Sequence, residues 1–366
     1  MRAIRVDEFG GPEVLQLAEV PSPEPGPGEV LIRTVASDVL YLDTMIRSGA
    51  GRDFFPVRPP YIPGNGVAGP VVSAGDGVDP AIVGQPVVAH TGGAGGRDGY
   101  AEQAVVSVAD AVQVPGRTDL LHALAVLHDG PTALRILERA DVRAGEPVLV
   151  LGAAGGMGAL LLQLLRAQGA FVVGAARGQV KLKAAAEAGA DAVVDYSGPG
   201  WTDQVFKAAG GTRPSVVLDG VGGPLGGEAF GLVRDGGRFS AYGAPSGSFA
   251  FIDPDVARRR QVKVTTLADL GLDTAGRAAL ARQIVARLVD GTVRPLIGQT
   301  FTLDAAAKAH AAIAARSTVG KTLLVTLSTG YLFIAAASSS GDEPQVRQVT
   351  AFPRYQSPGR RGMPCG

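Results

Sequence analysis

Seven consecutive residues in the middle of the chain have the composition of a phosphate-binding turn. Residues 152–158 are Gly-Ala-Ala-Gly-Gly-Met-Gly, so glycines recur with the spacing G-x-x-G-x-x-G between a strand-like run and an apolar helical pattern. Glycines at such a turn allow a tight bend, bring backbone N–H groups close to a pyrophosphate and let the helix pack closely on the strand. The segment therefore predicts a dinucleotide site formed by Gly152, Gly155, Gly156, Met157 and Gly158.

The next predicted strand, residues 170–175, distinguishes between the two nicotinamide cofactors. A site that prefers NAD usually carries Asp or Glu about 20 residues after the glycines. Here Arg177 and Lys181 follow the strand, and the first acidic residue is Glu187. Two charge-assisted hydrogen bonds to a 2′-phosphate, at about 1.5–3 kcal/mol each, would favour NADPH over NADH by at least about a hundredfold. The sequence thus predicts NADPH as cofactor.

The elements around this turn predict an α/β protein. Before residue 120, strand-sized runs alternate with Gly- and Pro-rich turns, which predicts a compact, partly open β-barrel. From residue 120 the pattern changes to a helix over 120–139, followed by alternating strands and helices. Six strands are expected in that alternation, at 148–151, 170–175, 192–195, 215–219, 237–242 and 261–266. This is the pattern of a doubly wound Rossmann sheet.

Residues 147–165 carry no charge and are long enough to span a membrane. Their central glycines and strand-like start favour a buried strand, a turn and a buried helix instead. After residue 326 the regularity ends, and 327–366 are expected to be a disordered extension. Because the sequence predicts no membrane-spanning segment, we expect no membrane partner.

Charge and cysteine content exclude several classes of function. Lys+Arg 34 balance Asp+Glu 34, which leaves no overall electrostatic attraction for nucleic acid. The single cysteine, Cys365, excludes an intrachain disulfide and the zinc sites that need two thiolates. The charged N-terminus has no apolar signal-peptide core, so a cytoplasmic enzyme is expected.

Several stretches in the same order along the chain carry a family resemblance. They are SDVLYLDTMIRSG at 37–49, PYIPGNGVAG at 60–69, GYAE at 99–102, GPTAL at 130–134, the glycine turn, AGADAVVDY at 188–196, DGVGG at 219–223 and RSTVGKTLLV at 316–325. With these motifs the chain resembles the zinc-free medium-chain dehydrogenase/reductases of the quinone oxidoreductase (zeta-crystallin-like) branch. The resemblance covers residues 1–326.

The resemblance implies a GroES-like catalytic domain, residues 1–123 completed by 267–326, around a Rossmann domain at 124–266. It further implies a homodimer formed through Rossmann edge strands, for which 237–242 and 261–266 are the candidates. It also assigns residues to the cofactor and to catalysis. Thr132, Val221 and Gly222 would border the nicotinamide, and Gly243 and Ala244 would border the strand end beside it. Tyr196 and Lys181 would contact the 2′-phosphate, and Arg316 would contact the cofactor from the C-terminal segment. Tyr41 is a candidate proton donor, with water as the alternative.

Departures from the family pattern bear on the substrate. Gly64-Asn65-Gly66 stands where zinc-dependent relatives carry a histidine ligand, so no metal site is expected. Leu40 replaces an asparagine common in quinone oxidoreductases, and Met45 and Gly51 replace aromatic residues, which indicates a more apolar substrate floor. His128 is a candidate cleft residue, although a structural histidine is the simpler interpretation. Asp43 is expected to brace its loop.

Three functions remain open from the sequence. Hydride transfer from NADPH to a small electrophilic acceptor fits either a quinone or an α,β-unsaturated carbonyl, because neither requires a metal. The second acceptor would make the chain an enone or enoyl reductase of a biosynthetic pathway. A non-catalytic NADPH-binding protein, as some lens crystallins are, is the third.

Overall fold

The computed structural model describes residues 1–50, 55–92 and 98–326. The predicted disordered extension 327–366, with Cys365, lies outside the described residues, as does Gly51. The fold is α/β, with a parallel doubly wound sheet and a partly open barrel of short strands, as the sequence predicts.

The N-terminal segment is built mainly of short strands. Its elements are β1 (Arg2–Arg5), β2 (Gln16–Glu19), β3 (Glu29–Arg33), β4 (Ala36–Val39), α1 (Tyr41–Ser48), β5 (Gly66–Ala74), β6 (Pro86–His90), β7 (Gln103–Ser107) and β8 (Ala111–Gln113). The apolar, strand-sized run 29–36 is divided between two strands, β3 and the start of β4, and α1 was not predicted from the sequence. The long strand β5 pairs with β3, β4 and β6 and so forms the centre of this sheet.

The middle of the chain begins with two helices and then alternates between strands and helices. Its elements are α2 (Leu120–Leu127), α3 (Asp129–Ala140), β9 (Pro147–Leu151), α4 (Gly156–Ala167), β10 (Phe171–Ala176), α5 (Gln179–Glu187), β11 (Ala192–Asp195), α6 (Trp201–Ala208), β12 (Val216–Asp219), α7 (Gly223–Leu232), β13 (Arg238–Ala241), α8 (Pro254–Arg259) and β14 (Lys263–Thr266). In the described chain β9 to β14 form a six-stranded sheet in the order β11-β10-β9-β12-β13-β14, with every pair parallel. This is the strand order of a doubly wound dinucleotide-binding sheet.

The single helix expected over 120–139 is wrong, because the chain forms two helices that meet at His128. Pro131 explains the break. It has no N–H to donate to the carbonyl of Leu127, and its ring would collide with that carbonyl. The break places His128 and Asp129 at the beginning of α3, at the boundary expected between the two domains.

The last described elements return to the N-terminal sheet. They are α9 (Thr274–Val289), β15 (Ile297–Thr302), α10 (Ala306–Ala314) and β16 (Lys321–Val325). Strand β16 pairs antiparallel with β4, where Leu323 is opposite Asp38 and Thr322 is opposite Val39. The C-terminal strands thereby extend the sheet that the N-terminal segment begins, whereas the boundaries at 123/124 and 266/267 stay predictions.

Two cores stabilise the Rossmann sheet, one on each face. Helix α4 buries Leu160, Leu161 and Leu164 in the cluster that also contains the apolar residues of α2 and α3. The opposite face packs Leu149 and Phe239 against α6 and α7. These cores fix the carboxyl ends of the strands, where ligands bind in such sheets.

The edge strands of the Rossmann sheet are β11 and β14. Of the two segments expected to be edges, β14 lies at one, but β13 lies inside the sheet between β12 and β14. Strand β13 pairs with β12 along one side and with β14 along the other, so both of its hydrogen-bonding edges are occupied. β13 is therefore unavailable for sheet pairing with a second copy, and the homodimer itself stays a prediction. None of the helices in the described part of the chain has the length and apolar character needed to cross a membrane.

Candidate active site

The glycine turn lies between β9 and α4, at the carboxyl end of the central strand of the sheet. Helix α4 begins at Gly156, and no side chain caps its amino end, so its first N–H groups can face an anion. Gly152 has a φ of 70°, a left-handed conformation that favours glycine. A side chain on Gly158 would collide with the carbonyl of Gly152, so this glycine allows the helix to pack on the strand. Met157, in the first turn of α4, packs against the core beneath it.

The three residues proposed for the 2′-phosphate, Arg177, Lys181 and Tyr196, lie near one another beside β10 and β11, and Arg316, proposed for the cofactor, lies beside them. Lys181 Nζ donates a hydrogen bond to the carbonyl oxygen of Arg316 at 2.7 Å. Burial, followed by the charges of Arg177 and Arg316, lowers the pKa of Lys181. Burial raises the pKa of Tyr196, and the same two arginines oppose that shift. Three cations and a phenol therefore converge on one place, which suits a doubly charged phosphate.

Of the residues proposed for the nicotinamide end, Val221, Gly222, Gly243 and Ala244 come together at the carboxyl ends of β12 and β13, whereas Thr132 lies on α3. The carboxylate of Asp219 accepts hydrogen bonds from the N–H groups of Val221 and Gly222, each at 2.9 Å. A side chain on Gly222 would collide with the carbonyl of Ser248 and approach the Cα of Ala244, and one on Gly243 would collide with Gly220. These close approaches hold three backbone segments, 219–222, 243–244 and the one around Ser248, in a fixed arrangement at the ligand-binding edge of the sheet.

The two proposed catalytic residues lie on different elements and do not share a hydrogen bond. Thr132 Oγ1 donates to the carbonyl of His128, one turn earlier in α3, at 3.3 Å. Thr132 also borders a cavity of about 570 Å³. Tyr41 is the first residue of α1 and is partly buried.

A buried polar network around Asp43 was not predicted beyond the bracing role of that residue. Asp43 accepts hydrogen bonds from Asn65 Nδ2 at 2.6 Å, Tyr100 OH at 3.0 Å and the N–H of Leu40 at 2.8 Å. Tyr100 OH also lies 3.1 Å from His310 Nε2. Burial, and then the neighbouring charge of Asp38, raises the pKa of Asp43 to about 7. The network fixes α1, and with it Tyr41, against the strands beneath.

A buried ion cluster joins the catalytic strands to the Rossmann segment. Lys321 Nζ lies 3.4 Å from Asp38 Oδ2 and 3.5 Å from Asp129 Oδ2. Burial alone would lower the pKa of Lys321, but Asp129 and Asp38 together raise it. Burial raises the pKa of Asp38 to about 6, against the opposing effect of Lys321. A side chain on Gly156 would collide with this cluster, so the cluster touches the cofactor turn.

His128 directly precedes α3, and its ring lies beside that of His90. Its ring centroid is 5.9 Å from that of His90, and both residues are partly exposed. Burial, followed by the charges of Lys321 and Arg277, lowers the pKa of His128 to about 3. The imidazole is therefore neutral at physiological pH.

Weak signals in the sequence could have indicated these residues. Lys321 starts an otherwise apolar strand, KTLLV, and Asp38 stands in a strand-sized run. A charge in a buried strand requires a partner of opposite charge. The sequence does not show which partner, since Lys321 and Asp38 are 283 positions apart.

Comparisons with known proteins identify the class of this molecule. Residues 26–116 match the alcohol dehydrogenase GroES-like domain, and residues 188–324 match the zinc-binding dehydrogenase family. The chain is 31% identical to a quinone oxidoreductase of Pseudomonas aeruginosa, over 88% of this chain and 99% of that protein. It is 34% identical to the quinone oxidoreductase of Rattus norvegicus, over 85% and 93% respectively.

Solved structures agree with these relatives. The quinone oxidoreductase of Escherichia coli, complexed with NADPH, superposes with a TM-score of 0.81 at 25% identity, over 89% of this chain and all of that one. A mycobacterial protein complexed with NADPH gives a TM-score of 0.80 at 31% identity, with the same shares covered. The fold and the site thus define a medium-chain dehydrogenase/reductase, an oxidoreductase. Within that superfamily the chain belongs to the quinone oxidoreductase family.

The buried ion cluster leads to a prediction about stability. Replacing Lys321 by Met leaves two buried carboxylates without their cation, which costs about 3–5 kcal/mol in comparable cases. We expect Lys321→Met to lower the free energy of unfolding by that amount, measured by denaturant titration, and Lys308→Met on the surface to leave it unchanged. The triple variant Lys321→Met, Asp38→Asn, Asp129→Asn should recover much of the loss, because no charge is then left unpaired. Equal stability of the single and triple variants would contradict this assignment.

Asp43 leads to a prediction about pH. Its pKa of about 7 in the folded protein exceeds that of an unfolded Asp, so the folded state binds the proton more tightly. The resulting stabilisation is complete below pH 4 and is lost as the pH rises through 7. Relative to Asp43→Asn, the wild-type protein should therefore lose up to roughly 4 kcal/mol of unfolding free energy over that range. Unfolding titrations of both proteins at several pH values measure the difference, and a difference independent of pH would overturn the prediction.

Proposed function

We propose that this protein transfers a hydride from NADPH to a quinone or an α,β-unsaturated carbonyl compound, without zinc. The observation that carries the proposal is the convergence of Arg177, Lys181 and Arg316 near Tyr196, one βαβ unit away from an uncapped helix at a glycine turn. Such a site offers N–H groups for a pyrophosphate and positive charge for a 2′-phosphate. NADPH in two solved relatives supports the same cofactor.

The residues present fit this cofactor in three places. The amino end of α4 would hold the pyrophosphate, the three cations the 2′-phosphate, and the backbone around Gly222 and Gly243 the nicotinamide end. NADPH, when bound, supplies the hydride. The fixed backbone of this chain determines where the nicotinamide can lie, which is the main contribution that such a reaction requires from the protein.

The side chains at the proposed nicotinamide end orient the acceptor and deliver the proton. Thr132 borders the cavity in which an acceptor would bind, and its hydroxyl would exchange the 3.3 Å hydrogen bond to the His128 carbonyl for one to the carbonyl oxygen of the acceptor. Tyr41 would supply the proton that the reduced acceptor takes up, with water as the alternative donor. The neutral ring of His128 adds no charge at this end of the cleft.

Independence of zinc rests on the chemistry of the residues. The one cysteine of the chain is its penultimate residue, and Asn65 follows Gly64 where a histidine ligand would be needed. Asn65 donates its amide hydrogen to Asp43, so its position serves the buried network. Without a metal to polarise a carbonyl group, electron-poor acceptors are the substrates that a positioned hydride can reduce.

An enone or enoyl compound is the second candidate acceptor. The cavity beside Thr132 is bounded by Leu267, Ala268, Leu270 and Leu272, an apolar wall without aromatic side chains. A quinone would gain ring stacking from an aromatic wall, whereas an aliphatic chain needs only apolar contact. The wall thus favours an acceptor with an aliphatic body as much as a quinone.

The activity can be tested with a panel of acceptors. We expect metal-free protein to oxidise NADPH in the presence of 1,4-naphthoquinone or an enone such as 3-penten-2-one, followed by absorbance at 340 nm. Pre-treatment with a chelator should leave the rate unchanged, and added zinc should not increase it. Tight NADPH binding without turnover of any acceptor would favour the non-catalytic function instead.

The choice of cofactor can be tested at Lys181. Lys181→Gln keeps a donor for the Arg316 carbonyl but removes the charge, so the dissociation constant for NADPH should rise about tenfold or more while that for NADH stays the same. Fluorescence titration with both cofactors measures this. Lys183→Gln, two residues further and paired with Glu187 on the surface, is the matched control and should change neither constant. Equal affinity of the wild-type protein for the two cofactors would refute the assignment.

A further inference from the structure

The wall of the cavity beside Thr132 includes a positively charged side chain, Arg277, that the proposed reaction does not use. The cavity has a volume of about 570 Å³ and lies between the beginning of α3, the segment after β14 and the first turns of α9. Its wall is apolar along residues 267–272, and Arg277 of α9 completes it. An apolar wall with one guanidinium is the arrangement that binds a molecule with an apolar body and an anionic group.

Arg277 has no ion pair in the part of the chain that the structure describes. It is half-buried, and no carboxylate of that part lies within ion-pair distance of it. Its charge contributes to lowering the pKa of both His90 and His128, so it acts on the cleft and not only on bulk solvent. A guanidinium on the cavity wall without a carboxylate partner has hydrogen-bond donors available to a ligand.

Three other titratable groups near the cavity offer no free positive charge to an anion. Asp273 also lines the cavity, but its Oδ1 accepts the N–H of Gly276 at 2.7 Å and caps α9. Lys321 is held between Asp38 and Asp129. His128 is neutral. Among the described residues that line the cavity, Arg277 is the one with a positive charge.

We infer that the acceptor of this enzyme carries an anionic oxygen group, such as a carboxylate, on an apolar body, and that Arg277 binds this group. The inference rests on the proposed function, since it concerns the substrate of the same site. Arg277 determines specificity, and it takes no part in the transfer itself. A fork of N–H donors matches the planar geometry of a carboxylate or the oxygens of a sulfonate.

The test compares a neutral and an anionic acceptor that share one ring system. Wild-type protein, Arg277→Gln and the control Arg282→Gln, an exposed arginine on the same helix, are assayed with 1,4-naphthoquinone and 1,4-naphthoquinone-2-sulfonate. For Arg277→Gln we expect KM for the sulfonate to rise about tenfold or more, while kcat/KM for the neutral quinone stays within about twofold. Arg282→Gln should behave as the wild type. An equal change for both acceptors, or none, would overturn the inference.

Binding without turnover separates this inference from the proposed function. Naphthalene-2-sulfonate and naphthalene-2-carboxylate, which cannot be reduced by hydride, are titrated calorimetrically into wild type and Arg277→Gln, and naphthalene serves as the neutral reference. If Arg277→Gln no longer binds either anion, the anion site is supported even when no acceptor is turned over. In that case only the proposed function fails. The dissociation constant for NADPH should be the same in both proteins. A parallel loss of NADPH affinity would assign Arg277 to a cofactor phosphate and overturn the inference.

Discussion

The contact of Lys321 with Asp38 and Asp129 is the interaction on which the site depends most. Burying three charges costs several kcal/mol for each, and only their mutual attraction offsets that cost. The cluster is therefore stable only when β4, β16 and the first turn of α3 lie together. Gly156 packs against the same cluster, so the arrangement that satisfies Lys321 also places the amino end of α4.

The segment 316–321 extends this linkage to the whole cofactor site. Gly320 N donates to the carbonyl of Ala154 in the glycine turn at 2.7 Å. Arg316 donates to the carbonyl of Pro245 at 2.6 Å and accepts the hydrogen bond of Lys181. One short segment thus contacts the turn for the pyrophosphate, the cations for the 2′-phosphate and the loop after β13. A cofactor bound across these three places would fix the catalytic strands relative to the Rossmann sheet, because segment 316–321 leads into β16 and contacts the Rossmann segment at each of them.

Local patterns predicted the elements, whereas long-range contacts had to be observed. The six strands of the Rossmann sheet were predicted because each is a short apolar run between turn residues, and their order follows from the right-handed connections of such sheets. The break at His128 was missed, since an apolar period of 3.6 continues through Pro131 and hides the missing N–H. The partners of Lys321 and Asp43 could not be predicted either. Pairing across hundreds of positions leaves no local trace, and a buried charge in a sequence shows only that some partner must exist.

The zero net charge of the chain conceals two groups of cations with different roles. Lys321 is satisfied by carboxylates of the protein itself, so its charge contributes to folding and is not available to a ligand. Arg177, Lys181 and Arg316 instead repel one another, and Arg277 has no ion pair among the described residues. Unpaired cations lower the stability of a fold unless a ligand supplies the opposite charge. Their positions, at the cofactor site and on the wall of the cavity, are consistent with a cleft arranged to receive negative charge at both ends.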